Sequence, residues 1–174
     1  MKANRLLRTL IILFILAFNI GCDQVSKSII RHKLDEYSEL RYLHNHFTLS
    51  NVENTGAFLS LGDSLSHPVK MLILNILPLL AVLFGLGFVL VKTDLSKITV
   101  LGVILIVGGG FGNIYDRIVH GSVTDFMHIK FGIFQTGVFN VADLSIMAGT
   151  FIVLLDAYLK KKKQTEPKTT DIQI

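Results

Sequence analysis

Three aspartates, one arginine and two asparagines fall between residues 108 and 143: Asn113, Asp116, Arg117, Asp125, Asn140 and Asp143. Carboxylates dominate this set, and a pair of them offers a specific chemistry. Two carboxyl groups held close together do not both ionise, so one keeps a proton. The ionised member takes a proton from water as that water attacks an amide carbonyl, and the protonated member polarises the carbonyl oxygen. Such a pair hydrolyses a peptide without a metal or cofactor. Other hydrolytic chemistries lack their parts. There is no G-x-S-x-G turn and no H-E-x-x-H helix. Cys22, the single cysteine, has no obvious partner base, and His44 and His46 lack a third metal ligand.

The elements that must position these residues are membrane spans. Hydrophobic residues make up 51% of the 174-residue chain, and mean hydropathy is +0.55, which suits an integral membrane protein of one domain. Four apolar segments are expected as spans, at about 6–25, 71–91, 98–115 and 138–159. Pro78 is expected to kink the second. Glycines at 102, 108–110 and 112 allow close approach of the third to its neighbours. Residues 1–22 also have the layout of a secretory signal ending in Gly21-Cys22. The membrane-like remainder of the chain favours a retained first span instead.

Between the first two spans, 28–68 is the one long polar region. IIRHKLDEYSELRYL, with charges of both signs, is expected as a short surface helix. FTLSNVENTGAFLSL begins with strand-like alternation and turns at Asn54-Thr55-Gly56. Residues 116–137 are expected as a loop, with IKFGIFQTGVF β-like or interfacial, and 161–174 as a basic, polar tail. Four spans put both termini on one side. Lys2, Arg5, Arg8, Lys92, Lys97 and Lys160 to Lys163 then lie together, which makes that side cytoplasmic. The net charge of +4 follows this orientation and gives no reason to expect nucleic-acid binding.

Helical periodicity gathers the polar residues at the outer ends of the spans. Gly109, Asn113, Asp116 and Arg117 form one stripe of the third span. Asn140 and Asp143 are at i, i+3 at the start of the fourth, and Asp125 lies in the loop between. Asp23 and Lys27, at i, i+4, share a face at the top of the first span. They read equally as an interfacial ion pair or as part of a polar cavity. Charged residues at membrane depth mark a functional site by default. A small channel or proton-coupled carrier is the principal alternative. Its weakness is that the acids form no path to the inner face, where Asp156 stands alone. A secreted lipoprotein and a non-catalytic scaffold are the others.

Five ordered motifs carry a family resemblance: D-Q-x-x-K at Asp23, Gln24 and Lys27; N-x-G-A-F at Asn54, Gly56, Ala57 and Phe58; G-G-x-x-G-N-x-x-D-R ending at Asp116 and Arg117; G-x-V-x-D-F from Gly121 to Phe126; and F-N-x-A-D from Phe139 to Asp143. Counted back from Asn113, the glycine pair falls on Gly108 and Gly109, and Gly110 takes a place where a small residue such as alanine is common. Over nearly its whole length the chain resembles the bacterial lipoprotein signal peptidases, signal peptidase II.

The resemblance implies an all-α membrane protein of four transmembrane helices. It adds a small extracytoplasmic β-sheet cradle from the 41–62 region and a surface helix covering the site. It implies an aspartic endopeptidase of the bacterial inner membrane with Asp125 and Asp143 as catalytic dyad. The substrates would be diacylglyceryl-modified prolipoproteins, cut just before the lipidated cysteine. The cyclic peptide globomycin would inhibit, the surrounding partner would be membrane lipid, and the state monomeric. Asp23, Lys27, Asn54, Gly56, Gly109, Asn113, Arg117, Asn140 and Ala142 match binding or site-supporting positions. Asp116 is expected to pair locally and position Arg117.

Overall fold

The computed structural model describes residues 2–35, 38–56 and 66–165. Four of its helices are long and apolar enough to cross a membrane. We label them α1 (Lys2–Lys33), α2 (His67–Val91), α3 (Lys97–His120) and α4 (Val141–Thr165). Their outward faces carry large apolar side chains such as Phe14, Phe84 and Phe151, each more than 60% exposed. That pattern suits lipid as the solvent, and the chain is a multi-pass membrane protein. In α2 the run Met71–Ile76 is π-helical and ends just before Pro78. Proline lacks an N–H and its ring crowds the carbonyl four residues back, so the preceding turn widens.

α3 is the central helix. With α1 and α2 it buries Ile12, Leu16, Val82, Val89, Ile104, Val107 and Ile114. Against α4 it packs backbone to backbone. A Cβ added at Gly102 would stand 2.8 Å from the Gly149 carbonyl oxygen, and one at Gly109 would press on the Ala142 carbonyl and on Ile146. Glycine at these contacts lets the two helices meet closely.

α1 and α3 run further than their apolar segments predict. α1 continues past residue 25 because Lys27 and Arg31 are neutralised by acids on their own and a neighbouring helix. Ile30 of its last turn and Leu34 just beyond it also pack beneath Phe126. α3 continues to His120 and stops at Gly121, whose φ of 80° provides a left-handed cap. Gly21 and Cys22 lie well inside the continuous helix α1.

The sheet has four antiparallel strands in the order β1 (Glu39–Tyr42), β2 (Phe47–Asn54), β3 (Val123–Phe131) and β4 (Phe134–Gln135). Two expectations are corrected here. Residues 39–42 form an edge strand on β2, so IIRHKLDEYSELRYL divides between the end of α1 and β1. None of the described residues from 34 to 56 is helical. Residues 123–128, expected within a loop, join the β-like stretch from 129 to form β3, because the alternation of β2 finds its partner there. The pairing slips between Leu49 and Val52, and such bulges re-aim side chains near functional sites. Ala57, Phe58 and the rest of the 41–62 cradle beyond Gly56 lie outside the described residues, as does the tail from 166. His44 sits in the β1–β2 turn with a left-handed φ of 56°. His46 contacts the Lys130 carbonyl oxygen through its ring and stacks on Phe131.

Candidate active site

The sheet and the bundle meet where β3 runs past the start of α4. The Met127 N–H donates to the Phe139 carbonyl at 2.8 Å, and the Phe139 N–H donates back at 2.9 Å. This clamp sets residue 140 beside residue 125. Asn140 then caps α4. Its side-chain oxygen accepts the Asp143 N–H at 2.9 Å, while the Asp143 carboxylate accepts the Asn140 N–H at 3.2 Å. That reciprocal arrangement is a capping box built from N-x-x-D.

The two carboxylates are held through shared amides. Asn140 Nδ2 donates to Asp125 Oδ1 at 2.6 Å and to Asn113 Oδ1 at 3.1 Å. Asn113 Nδ2 donates to Asp143 Oδ1 at 2.8 Å. Asn54, across the sheet, donates to Asp125 Oδ2 at 2.9 Å. Asp125 is 4% exposed. Burial pushes its pKa up to about 6, the Asp143 charge adds to the rise, and the Asn54 and Asn140 amides oppose it.

Both acids face a cavity of about 310 Å³. Its polar wall is Asn54, Asn113, Arg117, Asp125 and Asp143, and its apolar wall is Ile73, Leu74 and Pro78 of α2 with Val123 and Val138. Arg117 donates to the Gly56 carbonyl at 2.9 Å, and its buried Nε has no partner among the described residues. Gly56 is itself held by the Asn54 side chain, which accepts its N–H at 3.0 Å.

A fully buried ionic layer lies beneath. Lys27 Nζ reaches Asp23, Asp116 and Asn113 at 2.9 Å each, which satisfies all three of its donors. Both of its acids are completely buried. Asp23 also accepts the Ala142 N–H at 2.9 Å, at the start of α4. Gln24 donates to Asp23 and Asp116 at 3.1 Å each. Asp23 and Lys27 thus form neither a solvated ion pair nor a cavity wall. They are the ionic support under Asn113 and α4.

The sequence residues sort by depth. Asp125, Asp143, Asn54, Asn113 and Arg117 line the cavity, and Asn140 joins the two acids. Gly56 anchors Arg117 through its carbonyl, and Gly109 and Ala142 sit at the α3–α4 contact. The single stripe expected on α3 divides. Residues 113 and 117 point to the cavity, while Asp116, about 100° around the helix from Arg117, turns to α1. There it pairs with Lys27 and with Arg31 at 3.0 Å, rather than locally with Arg117. Asp125 arrives on a strand rather than by a loop.

Several residues were not singled out from the sequence. Arg31 donates to Thr124 Oγ1 at 2.6 Å. Glu53 accepts from Thr124 at 2.8 Å and from Ser122, tying β2 to β3 behind Asp125. Arg31 follows Lys27 by one helical turn on the stripe of Asp23, a signal that was available. Asn19 accepts from Ser145 at 2.9 Å and donates to the Leu105 carbonyl at 3.3 Å. At the opposite end of the bundle Asp156 stands apart from the other acids of the site and is held by neutral and basic side chains. It accepts from Ser96 at 2.7 Å, from Thr99, and from Lys160 at 2.6 Å. No cluster of three metal-ligating residues occurs among the described residues.

A multi-pass membrane protein with two amide-linked carboxylates at a half-apolar cavity is the class this geometry defines. Residues 15–159 match the family model described as signal peptidase (SPase) II. The lipoprotein signal peptidase of Borrelia hermsii is 34% identical over 166 residues, covering 91% of this chain and 95% of that one. That of Haemophilus influenzae is 34% identical over 151 residues, with 86% of each covered. A solved bacterial membrane enzyme shares the fold, with a TM-score of 0.78 at 23% identity over 91% of this chain and 93% of its own. The chain belongs to the signal peptidase II family.

Proposed function

We infer that this protein is a lipoprotein signal peptidase, an aspartic endopeptidase that removes signal peptides from diacylglyceryl-modified prolipoproteins by cutting just before the lipidated cysteine. The observation that carries the reading is the shared hold of Asn140 and Asn113 on Asp125 and Asp143 at the cavity wall. Asp125, with its raised pKa, is the protonated partner. Asp143, at the N-terminus of α4, is the partner that activates water.

Water between the two attacks the scissile carbonyl carbon. Asp143 takes one water proton, and Asp125 gives its proton to the carbonyl oxygen. The tetrahedral diol then collapses. Asp143 passes its proton to the leaving amine, the C–N bond breaks, and a diol hydroxyl returns its proton to Asp125. Arg117, on the cavity wall, is placed to hold a peptide carbonyl alongside.

The sheet and cavity lie on the extracytoplasmic side in this reading, because Arg5, Arg8, Lys92, Lys97 and Lys160 all belong to the other end of the spans. The acyl chains stay in lipid beside the apolar α2 wall, and each buried CH₂ contributes roughly 0.8 kcal/mol. That selects a lipidated substrate over a free one. The chain acts as a monomer of one four-helix domain spanning 1–160, with globomycin competing for the cavity. The test is cleavage of a diacylglyceryl prolipoprotein by the purified chain. Release of a product beginning at the lipidated cysteine, blocked by globomycin, is expected. Equal cleavage of the unlipidated precursor would overturn the substrate assignment.

A further inference from the structure

A groove of about 700 Å³ opens between α1 and α3 at the end of the bundle opposite the carboxylates. Leu7, Ile11 and Ile15 form one wall, and Leu101 and Ile104 the other. At its mouth stand two cations, Arg8 and Lys97, and none of the described residues lining it is acidic. One terminal nitrogen of Arg8 donates to the carbonyls of Val89 and Lys92, at 2.7 and 3.0 Å. This fixes the guanidinium in place with Nε and Nη1 uncommitted. Lys97 makes no ion pair or side-chain hydrogen bond among the described residues.

The dimensions match one leaflet. From Leu7 to Ile15 a helix rises about 12 Å, close to half of a ~30 Å hydrocarbon core. Beyond the two cations the groove is apolar throughout. A ligand that fits must carry negative charge at one end and a long apolar chain behind it. We propose that this groove binds an anionic phospholipid, with its phosphate between Arg8 and Lys97 and one acyl chain against Ile11 and Ile104.

The probe is phosphatidylglycerol. The full-length chain is released from nanodiscs of equal phosphatidylglycerol and phosphatidylcholine, and retained lipid is counted by native mass spectrometry. One phosphatidylglycerol per chain is expected, in preference to phosphatidylcholine. Lys97→Gln should weaken its retention about fivefold, the worth of one cation at an anionic membrane surface. Ile11→Trp should fill the groove and displace the lipid with both cations kept. Equal retention of the two lipids would overturn the proposal. So would loss in Lys97→Gln without loss in Ile11→Trp, which would mean a headgroup attracted to the surface with no chain in the groove. Prolipoprotein cleavage reads the other end of the molecule, so the two assignments fail independently.

Discussion

Asn140 and Asp143 cap each other at the start of α4, each backbone N–H bound by the other's side chain. The same Asn140 side chain donates to Asp125. One residue therefore ends a helix and spaces two carboxylates. The carboxyl group of Asp143 is oriented by the backbone as well as by Asn113, so its position is set before any substrate arrives.

If the two acids share the chemistry, Asp125→Asn and Asp143→Asn should each lower turnover by about 10³-fold or more. Asparagine keeps the shape and, at 143, the capping oxygen, so the variants should stay folded. Turnover is read by prolipoprotein cleavage and folding by thermal unfolding in detergent. Near-full activity in either variant would remove it from the dyad.

Asn140→Ala removes the cap and the Asp125 donor together. Loss of an N-cap costs about 1 kcal/mol. Losing the amide that positions the Asp125 carboxyl should lower turnover by ~10²-fold, the lower end of what a well-placed general acid contributes. Asn140→Ser should recover most of the stability, since serine caps well, and little of the activity, since it does not reach Asp125. Parallel recovery of both would show that Asn140 acts through the helix alone.

Lys27→Met leaves Asp23 and Asp116 buried without their shared cation. Breaking a buried ionic group on one side costs about 3–5 kcal/mol, so a large fall in melting temperature is expected. Lys27→Arg should rescue only part, because a planar guanidinium does not reproduce three bonds from one nitrogen. A neutral effect of Lys27→Met would mean that the layer does not support the fold.

Cleavage should depend on pH through the Asp125 proton. Its pKa is raised to about 6, so the protonated form is present below that value and lost above it. Turnover should decline as pH rises through about 6. A profile flat from pH 4 to 8 would contradict a shared proton.

Gly21-Cys22 resembles a cleavage site for such an enzyme, yet it lies within the continuous helix α1, immediately before Asp23 of the buried Asp23–Lys27 pair. Intact mass of the purified chain should show that residues 1–21 remain attached. A chain beginning at Cys22 would mean that α1 is cut and the ionic layer rebuilt.

Sequence alone determined that four helices span the membrane, because runs of apolar residues at that length have one stable environment. It also determined which polar residues belong together at one end, since helical periodicity places Asn113 with Arg117 and Asn140 with Asp143. It left Asp23 and Lys27 equally balanced between surface and cavity, and it put Asp116 with Arg117. Only the tertiary structure decided these. A residue's neighbours across a helix contact depend on how closely the backbones approach. Here Gly102, Gly109 and Gly149 bring α3 onto α4, which lets Asp116 turn to α1. The place of Asp125 was likewise a tertiary matter. Strand β3 exists because β2, 69 to 82 residues earlier along the register, pairs with it, and long-range pairing leaves only weak traces in local pattern.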